Sequence, residues 1–288
     1  MNSSDSGLSL HLRRHYLPYL LLSLLVILNI AIMIGLVTDW YHDGNYSHGF
    51  LIIPIAAYLL YKKRNEISLP LKPSKLGLLI FIIACVGLIF GTAAKEFFTS
   101  RFSLVLAITG LVIYYLGLKN FRKVWFPFFF LLFMIPIPAT IYYAATLPMQ
   151  LFATKVTHVI LKIVGVPALR QGNIIYLPNY ALEVAEACSG LRSLITLLAL
   201  GSLIGYITLE GKVKPLILFL SAVPIAIALN IFRLVFTAVG AYAISTKLAE
   251  HFLHELSGII VFFLALIIML LFASLLRIKG DWKFKQTP

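Results

Sequence analysis

Charge is what this sequence has least of: Asp, Glu, Lys and Arg supply 12% of its 288 residues, against 60% hydrophobic. Its mean hydropathy is +0.95. A soluble domain of this length has no use for so much apolar surface, so the solvent for most of the chain is lipid. Acid is scarcer than base, with 11 Asp and Glu to 24 Lys and Arg and a formal net charge of +13. No basic soluble domain is present to turn that excess toward nucleic acid, and nucleic-acid binding is not expected. In a membrane protein the same excess marks cytoplasmic loops and their contact with anionic membrane lipids. Cysteine is almost missing. Two residues, Cys85 and Cys188, cannot build a disulfide framework, and Cys85 sits mid-run in FIIACVGLIF as a small core hydrophobe. The seven histidines are scattered with no Cys or carboxylate set around them, so neither a metal nor another cofactor is expected. There is no internal repeat, and no low-complexity tract beyond the polar N-terminal tail.

What is present is a series of long apolar runs. Eight transmembrane helices are expected, at about 17–37, 48–61, 76–94, 102–118, 124–145, 189–208, 215–238 and 257–276, most near the ~20 residues that cross ~30 Å of hydrocarbon. The fold class is therefore all-α, a polytopic helical bundle forming one integral-membrane domain over 1–288. Residues 1–15 form a polar cytoplasmic tail and 277–288 a basic one. The first run follows Arg13 and Arg14, is too long for a signal peptide and lacks a clear small-x-small cleavage site, so it reads as a retained span. The second run is short and holds Pro54. Ile135-Pro-Ile-Pro138 must kink the fifth or end it early. With the N-terminus inside, 16 of the 24 basic residues fall in cytoplasmic segments, which predicts an N-in, C-in topology. The first outside loop, DWYHDGNYSHG, has no Lys or Arg and agrees.

The outside segment between spans five and six, about 146–188, departs from the short loops elsewhere. Residues 151–165 place Lys155, His158 and Lys162 on one stripe of an otherwise apolar helix, which predicts a short helix lying on the outer interface. Residues 172–185 alternate apolar and polar around Pro178-Asn179, a small hairpin that delivers the chain to Cys188.

Polar residues at membrane depth are functional candidates because insertion costs on the order of 2.5–3.5 kcal/mol each. Arg233 lies about 27 Å from Pro215 along a helix rising 1.5 Å per residue, toward the outer side. Snorkelling, or pairing with a glutamate, would explain Arg233 alone. Asn230 shares its face, though, and lipid contact gives no reason for a second polar group. Cys188 stands in EACSGLRSL, where Ser-Gly opens a helix. The free amides and dipole of that helix start favour a thiolate, Arg192 assists and Glu186 opposes. A palmitoylated or merely interfacial cysteine is the competing reading. His254 and His251 both precede the last span, and spacing alone does not separate them. Thiolate, guanidinium and imidazole, from three spans at one membrane boundary, suffice for acyl transfer at a peptide bond.

EACSGLRSL at 186–194, NIFR at 230–233 and HELSG at 254–258 resemble the three signature blocks of the exosortase/archaeosortase family, and YSHGFLIIP at 46–54 resembles its N-terminal block. The resemblance runs from residue 16 to 276, and its most specific part is CSGLRS. It implies an eight-span bacterial membrane cysteine protease-transpeptidase. Such an enzyme recognises secreted proteins whose C-terminal sorting signal is a Pro-Glu-Pro motif, a transmembrane helix and a basic cluster. By position, Cys188 matches the nucleophile, Arg233 the arginine and His254 the third catalytic residue. A histidine at that third position points to the bacterial branch, in an inner membrane with the site facing outward. Asn230, Arg192, Glu186 and His48 are expected to bind substrate or support the site; for His48 a plain helix-start role is equally open. The chain stops about twelve residues after the last span, so the family's extra C-terminal domain is expected to be absent or separately encoded. Two other classes remain on sequence grounds: a small-molecule transporter, which would put its polar groups near the midplane within an inverted repeat, and a non-catalytic assembly subunit.

Overall fold

The computed structural model describes residues 20–178, 180–184, 191–244 and 254–281. They form nine α-helices and one small sheet. The chain divides into two compact units, Met1–Ile137 and Pro138–Pro288. The division falls inside the Ile-Pro-Ile-Pro break expected from the sequence.

In the first unit, α1 (Leu20–Leu28) and α2 (Ile30–His42) are bent by 63° at Asn29. The side chain of Asn29 donates to the Leu25 carbonyl at 2.8 Å, which also accepts the Asn29 backbone N–H at 3.2 Å, so the residue at the bend folds its own polar group back onto the preceding turn. There follow α3 (Gly49–Lys63), α4 (Lys75–Ala93) and α5 (Phe97–Phe130). The α4 and α5 backbones touch. A Cβ on Gly77 would collide with the main chain of Tyr114 and Gly110, and one on Gly91 with that of Ser100. Lipid supplies no hydrophobic drive between helices, so close van der Waals packing of small residues holds this antiparallel pair.

The 38 apolar residues Phe97–Met134 span about 57 Å if straight, nearly two membrane thicknesses. They are not straight. Gly117 is non-helical with φ +76°, a conformation that glycine adopts freely, and a Cβ there would strike the Lys72 carbonyl. Neighbouring residues of α2 contact both ends of the segment: Asp39 binds Arg101 at 2.6 Å, and Trp40 Nε1 donates to the Met134 carbonyl at 2.8 Å. The segment therefore doubles back at Gly117, and the fifth span expected at 124–145 is interrupted: a 3-10 turn at Leu131–Met134 ends it and α6 starts only at Ala139.

In the second unit, α6 (Ala139–Ile163) leads into an antiparallel meander of β1 (Leu169–Gln171), β2 (Ile174–Leu177) and β3 (Tyr180–Glu183), then α7 (Leu191–Thr208), α8 (Val213–Ala243) and α9 (His254–Asp281). The expected hairpin is β2–β3, with Leu177 paired to Tyr180 across the turn. A third strand, β1, was not expected. Its own two-residue turn is Gly172-Asn173, with φ +60° at the glycine. Alternation buries Ile175, Leu177, Leu182 and Val184 against Leu161 of α6 and Leu234 and Ala238 of α8, while Tyr176 points out.

The separate interfacial helix expected at 151–165 is corrected. Those residues continue α6, whose interior holds Pro148. Proline is tolerated inside apolar helices when packing neighbours absorb the distortion, so Pro148 did not end the helix. The Lys155 and Lys162 stripe is exposed as expected, while His158 donates to the Ala168 carbonyl at 3.1 Å.

Among the described residues, four helical segments are long and apolar enough to cross a membrane, with Phe97–Met134 taken as one, or five with the bent α1–α2 pair as one span. Helix α3 reaches only about 22 Å, and α6 carries Gln150, Lys155 and Lys162. The exposure pattern fits lipid: on α9, Ser257, Val261, Ala265, Met269 and Ala273 are buried at every fourth position, while Ile260, Phe263, Leu271 and Leu275 are exposed.

Candidate active site

Helices α7, α8 and α9 pack on one another. Near the far end of α8, Asn230 is 5% exposed and Arg233 is partly buried. Both line a cavity of about 10 Å³, room for about one water, closed by Ser193 and Leu197 of α7 and by Gly258, Val261 and Phe262 of α9. A second cavity, of about 200 Å³, lies between Pro148, Met149 and Phe152 of α6 and Ile227 of α8, and Asn230 lines it too. Asn230 is therefore shared by the tight cleft that holds Arg233 and an otherwise apolar groove.

Of the predicted site residues, Arg233 and Asn230 come together in the cleft. Cys188 and Glu186 lie outside the described residues, as does the alternative histidine, His251. Arg192 belongs to the first turn of α7, and His254 is the first residue of α9; the backbone of each is helical. His254 stands one turn before Gly258, which lines the cleft, and Cys188 lies just ahead of Leu191, where α7 begins.

His48 belongs to the first unit, in the turn before α3. Its Nε2–H donates to the Phe133 carbonyl at 3.1 Å. With Trp40 on Met134 and the Tyr46 hydroxyl accepting from Ile137 N–H at 3.3 Å, it clasps the main chain of residues 133–137. Burial pushes the His48 imidazole below its ordinary value, outweighing the carbonyl contacts that raise it. Sequence reasoning did not find this clasp, nor the Asp39–Arg101 pair, in which Arg101 is 5% exposed. A lone arginine opening an apolar run, with acid in the nearest outside loop, was the available signal. Among the described residues no cluster of His, Cys, Asp and Glu is placed to hold a metal.

Apolar helices dressed for lipid, with a small cleft between α7, α8 and α9 that holds Arg233 and Asn230, define a polytopic membrane protein. The chain belongs to the transmembrane exosortase family: that family's model, Transmembrane exosortase (Exosortase_EpsH), matches residues 40–271, from Trp40 through all four sequence blocks. No curated protein and no solved structure matches the chain. Membership points to a membrane-bound protease or transpeptidase that sorts proteins.

Proposed function

We propose that the protein is a cysteine peptidase-transpeptidase that cleaves the C-terminal sorting signal of secreted proteins at the outer face of a bacterial inner membrane. Its substrates carry a Pro-Glu-Pro motif, a transmembrane helix and a basic tail. The Cys188 thiolate adds to the scissile carbonyl carbon, and the carbonyl electron pair moves to oxygen, where the Arg233 guanidinium donates to it. Collapse of the adduct breaks the C–N bond as the His254 imidazolium gives its proton to the departing amine. Water or another amine then adds to the thioester, giving a proton to the now neutral His254 imidazole, and the thiolate is expelled.

The observation that carries this reading is the cleft: Arg233 shares one cavity with Gly258, a turn after His254, and with Ser193, on the helix that the Cys188 block opens. The apolar groove beside Asn230 suits a substrate helix arriving sideways from lipid. The sheet packs on Leu161 of α6 and Leu234 of α8, the residue after Arg233, a position that suits the role of a roof or gate for the site.

The test is Cys188→Ala in the full chain, co-expressed with a reporter ending in such a signal. The reporter should accumulate uncleaved while the variant inserts at the normal level. Continued cleavage would remove the thioester mechanism.

A further inference from the structure

At the end of the first unit where α4 starts and α5 turns back lies a cavity of about 600 Å³. Its walls are the loop 68–75 and residues 116–120, and it is lined by Lys72, Lys75 and Lys119. All three lysines are exposed. Among the described residues the ion pairs are Lys63–Glu66 and Arg101–Asp39, so none of the three is neutralised by a carboxylate. The walls are held in place. Asn120 accepts from the Ser68 amide and donates to its carbonyl, both at 3.0 Å, and Lys123 Nζ donates to the Glu66 carbonyl at 2.7 Å and the Ser68 hydroxyl at 2.8 Å. The Ser74 amide donates to the Tyr114 carbonyl at 3.1 Å. The cavity also receives the N-terminus of the 19-residue α4, whose N-cap Ser74 makes no side-chain cap bond. A helix start and three lysines without a carboxylate partner line one roomy, braced space.

We propose that this cavity binds the phosphate of an anionic lipid headgroup. Phosphate matches both the lysines and the helix N-terminus. Lipid is favoured over a soluble phosphate by the apolar part of the site: Leu69 is 81% exposed at the rim, and Leu116 and Leu118 line the wall beside the lysines. The charge distribution along the chain puts this end on the cytoplasmic side, where basic pockets between helices meet anionic lipid. The site is separate from the proposed catalytic cleft, which lies in the other unit.

The experiment is native mass spectrometry of the full chain, titrated with phosphatidylglycerol, phosphatidylcholine or inorganic phosphate. Wild type should take up phosphatidylglycerol well ahead of phosphatidylcholine. From the usual contribution of a basic residue near a charged membrane surface, Lys119→Gln should weaken that uptake about fivefold and Lys72→Gln/Lys75→Gln/Lys119→Gln about a hundredfold. Lys212→Gln/Lys214→Gln, basic residues of the other unit, should leave it unchanged. If the triple variant does not fold, the single variants decide. Uptake unaffected by the cavity substitutions, or lost equally in the Lys212/Lys214 control, overturns the site. Inorganic phosphate competing as strongly as the lipid overturns the lipid assignment.

Discussion

Replacing His48 by alanine separates a structural histidine from a catalytic one. The ring donates to the Phe133 carbonyl beside the buried Trp40 and Tyr46, and it stands in the turn before α3, which begins at Gly49. Removing it deletes one hydrogen bond, worth about 1 kcal/mol, and strands a carbonyl whose desolvation costs about 1–3 kcal/mol. Because the site is only partly buried, a total loss of about 1–2 kcal/mol is expected. The sign with pH follows from burial, which lowers the folded-state value of His48. Between the folded value and the unfolded value near 6.5 the unfolded chain binds more protons, so wild-type stability falls as pH drops below about 6.5. The alanine variant lacks that penalty. The stability gap should therefore be widest at neutral pH and narrow toward pH 5, read as unfolding midpoints in detergent. A His48→Ala protein as stable as wild type, with a gap that does not change with pH, would refute the clasp. Full stability with no cleavage of the reporter would instead make His48 a catalytic residue.

The remaining expectations concern the proposed reaction and one ion pair. Arg233→Lys keeps the charge but loses the planar fork, so the cleavage rate should drop by ~10²–10³; a normal rate would remove the oxyanion role. His254→Ala should slow release of the amine without abolishing cleavage, since water can supply the proton. An inert His251→Ala beside an unimpaired His254→Ala would move the role to His251. Asp39→Ala leaves the Arg101 guanidinium buried without its carboxylate. With Asp39 itself 41% exposed, the loss should fall between the surface and buried cases, about 2 kcal/mol, and an unchanged unfolding midpoint would deny the pair any structural weight.

The apolar runs by themselves located α4, α8 and α9 to within a few residues, because each is bounded by Lys, Arg or turn residues and lipid exposure demands an unbroken helix. They also singled out Arg233 and Asn230, since polar groups inside such runs stand out. Where local rules compete, the chain was less legible. Ile135-Pro-Ile-Pro138 ended a helix, whereas Pro148 sits inside α6; a proline's effect depends on whether packing neighbours hold the strained turn together. The Gly172-Asn173 turn was readable, but the short, mixed β1 has too few residues for alternation to declare a strand. Only the tertiary structure decided that Asp39 and Trp40 hold opposite ends of one folded-back segment, that Asn230 borders two cavities, and that Lys72, Lys75 and Lys119 share a braced space. Hydropathy and periodicity register what a residue and its near neighbours bury. Contacts such as Trp40 with Met134, 94 positions apart, exist only after helix packing has closed the distance, and no local pattern encodes them.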